Sequence, residues 1–338
     1  MQVTEEKSYS FSARDMESEL SSFAEKGITE FTLQDNATLS HKGKLLKFLR
    51  AFAEKCPSVF LTLPVPAGVL DMDVCKACSE LYCTLEINID GTEKNGVYLF
   101  DKKFYSRRAA TLNNMGLVFG FNMTFAAEEG DSVKLFRDRL DFALSLYPNH
   151  IDFPQIEQIF GKDAAKKPKP TRTFSTQDIS MMTEVSYACQ TFYSYGRAVP
   201  WFLSVLKPLK MSAAAFFQDF SEWQKTNNCA LGSSWNPARA EHEEIEKMQL
   251  TFLKFKFEEK NKLPVFAALK DIVRLNGAFA RASGEGAACE LDLDYNPEDI
   301  LSGDSLNISA FAENVTMEKC RVKVFATEDG VDYSLLRP

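Results

Sequence analysis

From residue 28 to residue 156 the sequence alternates short apolar runs with amphipathic stretches. ITEFTLQD (28–35), SVFLTLPV (58–65), CTLEINID (83–90), GLVFGFNMTF (116–125) and HIDFPQI (150–156) have the length and residue types of strands. Residues 14–26, 41–55, 68–81, 103–115 and 130–147 repeat apolar side chains at helical spacing. Such alternation predicts parallel strands joined by right-handed crossovers. YSFSA (9–13) is a further, weaker strand candidate. The expected fold class is α/β: a partial (βα) barrel of about five to six parallel strands, then a mostly α-helical domain ending in a β-hairpin.

KDAAKKPKPTR (162–172), rich in Lys and Pro, reads as a solvated linker. It divides the chain into a barrel region at 1–160, a linker at 161–173 and a helical domain at 174–338. Helix-spaced apolar residues run from Ser175 to Leu206, Ser212 to Asn227, Pro237 to Lys260 and Pro264 to Arg281. Ser212 suits an N-cap, and Pro237 and Pro264 suit first turns. KCRVKVFAT, EDG and VDYSLL read as a hairpin with Asp329-Gly330 in its turn.

The strands are two-faced. In CTLEINID, Leu85, Ile87 and Ile89 alternate with Thr84, Glu86, Asn88 and Asp90. In GLVFGFNMTF, Phe119, Phe121, Met123 and Phe125 alternate with Gly120, Asn122 and Thr124. Successive side chains point to opposite faces of a strand, so each strand has one polar face. Helices must cover the apolar face, which leaves the polar one lining a concave mouth. Function in βα barrels sits at the carboxyl ends of strands. Asp35, Asn36, Asn88, Asp90, Asn122 and Thr124 fall near such ends. The alternative is a satisfied internal hydrogen-bond network without a ligand.

Composition narrows the functional classes. The formal net charge of -8 excludes a general nucleic-acid role, because phosphate binding needs a basic face. No apolar run reaches membrane-spanning length, so no membrane partner is expected. Eight scattered Cys fit a reducing cytoplasm. The 28 Phe suit aromatic packing, and the Phe-rich stretches 212–227 and 248–257 read as core.

The barrel segments resemble the second half of a cobalamin-associated radical S-adenosylmethionine barrel. GITEFTLQDNATLS resembles that family's second strand and its Asp-Asn loop. Glu86-Ile-Asn88-Ile-Asp90-Gly91 stands where the family has Glu-x-Gly-x-Gln-Ser, and Arg108 falls near an Arg that helps hold the cofactor's carboxylate. Beyond the linker, Tyr193-Ser194-Tyr195-Gly196-Arg197 resembles the Tyr-Asn-Ser-Gly-Arg signature of a helical domain of unknown function that follows some of these barrels. The resemblance implies S-adenosylmethionine as a ligand, with Asp35, Asn36, Glu86, Asn88, Asp90, Arg108 and Asn122 around it.

The departures set the functional expectation. The family's Cys-x3-Cys-x2-Cys loop should precede residue 14, where Ser8, Ser10 and Ser12 stand, and no Cys occurs before Cys56. No cobalamin domain is expected in this sequence, and Asn88 stands where the family has Gly. No iron–sulfur cluster and no catalytic residue is expected, because cluster irons require thiolates. Cys75, Cys78 and Cys83 read as ordinary core cysteines rather than cluster ligands. His41, His150 and His242 lie far apart, which gives a zinc site no support. The expectation is a non-radical relative acting as a binding or accessory protein, with a cationic or hydroxyl-rich small molecule in the barrel mouth. Two alternatives stay open. One is the carboxyl portion of a radical enzyme whose cluster-bearing part is separate or removed. The other is an interaction module that engages a protein partner through its helical domain.

Overall fold

The computed structural model describes residues 16–95, 97–156, 168–228 and 235–336. The YSFSA strand candidate and residues 161–167 of the linker lie outside them. The chain divides into two compact units, residues 1–88 with 101–121 and residues 89–100 with 122–338. The fold is α/β. A five-stranded sheet has the order β1 (Glu30–Thr32), β2 (Phe60–Pro64), β3 (Cys83–Asn88), β6 (Val118–Asn122), β7 (His150–Asp152). The short hairpin β4 (Thr92–Lys94) and β5 (Val97–Leu99) follows β3.

In the first unit, β1, β2 and β3 pair in parallel. The connections are α1 (Met16–Glu25), α2 (Asn36–Leu39), α3 (Lys42–Lys55), α4 (Met72–Cys78) and α5 (Lys102–Asn114). They bury the apolar face of the strands: Leu61, Leu63, Leu85 and Phe119 are wholly buried. Phe31 stacks among Phe23, Phe48 and Phe52, with ring centroids 5.7 to 6.3 Å away. Three aromatic neighbours at these separations add roughly 0.5–1.5 kcal/mol per pair beyond burial. The opposite face stays open. Glu30, Thr32, Pro64 and Asn88 are exposed, and even Phe60 and Val118 are 41% and 43% exposed. The two-faced alternation in the sequence therefore reports a sheet covered by helices on one side.

In the second unit, α6 (Val133–Leu144) precedes β7, and α7 (Thr176–Cys189) follows it in sequence. Ser175 and Asp178 cap α7 reciprocally. The expected single helix from Ser175 to Leu206 is interrupted. A π-helical turn occupies Gln190–Tyr195, and α8 (Phe202–Leu209) begins after a break at Gly196. The break is steric. A Cβ on Gly196 would lie 2.1 Å from Gln249 Nε2 and 2.2 Å from the Phe192 carbonyl oxygen, so only glycine admits the approach. Ser212 caps α9 (Ala213–Asn227) as expected. Pro237 does not open a helix, because α10 starts five residues later and spans His242–Glu259. Pro264 does sit in the first turn of α11 (Leu263–Glu285). Seven aromatic side chains from the π-helical turn, the residue before α8, α8, α9 and α10 form one core: Phe192, Trp201, Phe202, Phe216, Phe217, Phe220 and Phe252.

The terminal hairpin is β9 (Cys320–Thr327) with β10 (Gly330–Leu336). Its loop is Glu328-Asp329, and Gly330, at φ 134°, opens the second strand instead of completing the turn. A third strand, β8 (Cys289–Leu293), pairs with β9, and α12 (Pro297–Leu301) and α13 (Ile308–Asn314) lie between them in sequence. No helix among the described residues is long and apolar enough to cross a membrane.

Candidate functional site

In the first unit, two of the expected site residues are spent on the backbone. Asp35 caps α2, accepting from the Ala37 and Thr38 amides at 3.1 and 3.2 Å and from the Thr38 hydroxyl at 2.7 Å. The hydroxyl and the two amides outweigh slight burial and hold its pKa below the ordinary value. Arg108 donates to the Leu70 carbonyl in the loop after β2, with its guanidinium 5.5 Å from the Phe104 ring. Asn36 starts α2 and is exposed. Glu86 and Asn88 share the open face of β3, where the Tyr105 hydroxyl bonds the Asn88 carbonyl at 3.1 Å. Across that face Thr32, Thr62 and Thr84 stand in register on adjacent strands. The Thr84 hydroxyl is buried and makes no hydrogen bond among the described residues.

In the second unit the ends of β3, β6 and β7 are stitched together. The Ile89 amide donates to the Asn122 carbonyl, and the Met123 amide donates to the Asp152 carbonyl, both at 2.9 Å. One step further on, side chains replace the backbone ladder. The Thr124 amide donates to Asp90 Oδ1 at 3.0 Å, and Gln155 exchanges two 2.8 Å bonds with the Phe125 backbone. The chain then turns at Ala126, with φ at 51°. Asp131 closes this loop by accepting from the Ala126 and Ser132 amides at 3.3 and 2.9 Å.

Arg139 of α6 lies beneath the loop, 2% exposed. It donates to the Thr124 carbonyl and approaches Asp131 Oδ2 at 3.4 Å. Its guanidinium sits 5.1 Å from the centroid of Tyr98 in the β4–β5 hairpin. The Tyr98 hydroxyl in turn accepts from the Gly91 amide at 2.7 Å. A Cβ at Gly91 would lie 2.4 Å from that ring, so a glycine there lets the hairpin fold back.

Two carboxylates share this single buried cation. Burial raises the Asp90 pKa, opposed by the Thr124 amide and the Arg139 charge. Burial pushes Asp131 up to about 7, with the amides of Ser132 and Ala126 opposing and the Asp90 charge adding to the rise. Burial brings Arg139 down to about 10, and the attraction that keeps it charged comes from Asp90. Burial and the second carboxylate favour a proton on one of the pair, against the pull of the cation. Asp131, at about 7, is part-protonated near neutral pH.

Asp152 differs from both. Its side chain is 36% exposed, its Oδ1 accepts from the Gln190 amide at 2.9 Å, and its Oδ2 lies 3.8 Å from His150 Nε2. His150 and Asp152 occupy alternate positions of β7 and so share one face. The sequence reading placed this strand and weighed His150 only as a zinc ligand, and it did not single out Asp152, Gln190, Asp131 or Arg139. The alternating His-Ile-Asp-Phe pattern was the available signal for the β7 pair. Asp131 and Arg139 carry no local signal, because their partners come from other elements.

Two cavities lie away from these residues. One of about 400 Å³ is lined by Glu17, Lys47, Arg50 and Glu54 along α1 and α3. A second of about 100 Å³ is lined by Tyr147, Leu203 and Leu306.

Three closely spaced cysteines lie in the first unit. Cys75 and Cys78 are fully buried on α4, and Cys83 at the amino end of β3 is 7% exposed. A cluster that reacts with a ligand at the carboxyl ends of the strands would need its thiolates there.

Comparison of the sequence with protein-family models and with curated proteins finds no match. Among solved structures, the chain aligns with the radical S-adenosylmethionine methyltransferase TsrM from Kitasatospora setae with cobalamin and an iron–sulfur cluster bound. That alignment has a TM-score of 0.33 and 16% identity, covering 44% of this chain and 34% of that one. The same enzyme with tryptophan substrate and a S-adenosylmethionine analogue bound aligns at 0.33 and 16%, covering 43% and 33%. This chain spans about a third of the length of the methyltransferase it matches.

Proposed function

We propose that this chain is a relative of the radical S-adenosylmethionine barrels without radical chemistry of its own, acting as a small-molecule-binding or accessory protein. Its ligand is cationic and hydroxyl-rich, and S-adenosylmethionine, with a sulfonium, an ammonium and a ribose diol, has that chemistry. The observation that carries the reading is the state of Asp152. It is a half-exposed carboxylate on the strand beside Asn122, held by a neutral amide. In the second unit Asp90 is already balanced by Arg139, which leaves Asp152 and Asn122 there to receive a cation and a hydroxyl. The Asp90–Arg139–Asp131 network keeps the strand ends in place, and Gln190 orients Asp152. Removing one partner of a charge-assisted contact costs about 1.5–3 kcal/mol, roughly tenfold or more in affinity.

Calorimetric titration with S-adenosylmethionine and with its uncharged thioether counterpart, S-adenosylhomocysteine, tests the proposal. Tighter binding of the sulfonium compound is expected, weakened roughly tenfold or more in Asp152→Asn and less in Asn122→Ala. Equal affinity for both compounds, affinity unchanged in Asp152→Asn, or no binding of either would contradict it.

A further inference from the structure

We propose that the outer edge of β10 is a self-association surface, on which a second copy of this chain pairs its own β10 antiparallel about a two-fold axis at Tyr333. The three-stranded sheet of the second unit runs β10, β9, β8, so β10 is an edge strand. Its pairing with β9 fixes which backbone groups face outward. The two-residue loop Glu328-Asp329 is closed by Thr327 opposite Gly330. In an antiparallel ladder, opposed residues alternate between pairs that exchange hydrogen bonds and pairs that do not. With the closing pair bonded, Gly330, Asp332, Ser334 and Leu336 face β9, and Val331, Tyr333 and Leu335 turn their amides and carbonyls outward. The Tyr333 amide agrees with this phase, because it donates to its own Asp332 carboxylate at 2.8 Å. Such an edge is a template for another strand unless Pro, Lys or a bulge blunts it, and Gly330–Leu336 contains no Pro and no Lys.

The side chains select the occupant. Pairing Gly330–Leu336 with its own copy over the full length puts Tyr333, the central residue, on the axis. Val331 then faces Leu335 of the second copy, and Asp332 faces its Ser334. Val331, Tyr333 and Leu335 share the face of Val322 and Val324, which are wholly buried. Leu335 stands opposite Val322 and is nevertheless 57% exposed, and Val331 of the second copy covers it. On the other face the Ser334 hydroxyl meets the Asp332 carboxylate of the second copy, with Lys323 next in the same row. The Tyr333 amide passes from its own Asp332 to the Tyr333 carbonyl of the second copy, which frees that carboxylate for the hydroxyl. Neighbouring registers lose this match. One opposes Asp332 to Asp332, and the other opposes Asp332 to Leu336. The strand is thus complementary to itself, as a two-fold interface requires.

Sedimentation equilibrium of the full chain, from about 1 μM to about 200 μM, tests the proposal, because one strand pairing is a small interface and its dimer forms in the micromolar range. The mean mass should rise with concentration from 38.1 kDa towards twice that value and stop there. Leu335→Lys, at a position already exposed, should raise the dissociation constant about tenfold or more and leave the circular dichroism spectrum unchanged. Ser334→Asp should weaken pairing by opposing two carboxylates, and adding Asp332→Lys to it should restore pairing. A single-chain mass throughout, growth beyond two copies, or a dimer indifferent to Leu335→Lys and Ser334→Asp would overturn the proposal.

Discussion

Asp131 shows how much a single side chain can hold while being invisible in the sequence. Its carboxyl is 2% exposed, accepts two loop amides and shares Arg139 with Asp90. Its folded pKa of about 7 lies above the ordinary 3.8, so the folded state binds this proton more tightly than the unfolded chain. The associated stability is therefore complete below about pH 4 and is lost as pH rises towards 7, by at most roughly 4 kcal/mol. Denaturant unfolding of the wild type should show falling stability from about pH 4 to about pH 7. Asp131→Asn, which stays neutral, should flatten that slope, and parallel profiles would refute the assignment. At this scale the sequence was partly legible. The alternation of Glu86 and Asn88 with Leu85 and Ile87 separates open from covered positions, whereas Asp90 is drawn into the buried loop network. That Asp35 and Arg108 are consumed by nearby backbone was not legible, because a carboxylate or guanidinium near a strand end reads the same whether it faces a ligand or a cap.

Among the elements, the π-helical turn Gln190–Tyr195 does the most to position the site. The Ser194 hydroxyl accepts from the Ile151 amide at 3.0 Å and donates to the Ile151 carbonyl at 2.9 Å, covering the outer edge of β7 as a neighbouring strand would. Tyr193 donates to the Pro148 carbonyl at 2.6 Å, Gln190 bonds Asp152, and Gln249 ties the Phe192 and Gly196 carbonyls to α10. The Tyr-Ser-Tyr-Gly-Arg segment noted in the sequence is thus a dock for a sheet edge. Ser194→Ala should cost about 1–3 kcal/mol by leaving an edge amide and carbonyl without partners, and should speed hydrogen exchange at Ile151. Unchanged stability and exchange would mean that water substitutes freely. Long periodic elements such as α9 and α11 were readable, as were the five strands of the main sheet. The β4–β5 hairpin was overlooked although Asn95-Gly96 is a hairpin turn signal, because runs of three residues are too short to show alternation. A π-helix has no periodicity distinct from the helix it interrupts.

For the whole molecule, the apolar patterning accounts for a parallel sheet covered on one side and for a separate aromatic core around Phe192. The proposed function holds that this frame works without a cluster, and Cys75, Cys78 and Cys83 are buried in the packing of α4 and β3. Anaerobic reconstitution of the full chain with iron and sulfide, followed by iron analysis and a visible spectrum, tests this most directly. The account predicts iron far below stoichiometric and no broad charge-transfer absorbance. Stoichiometric iron with that absorbance, lost in Cys75→Ala and Cys78→Ala, would contradict it.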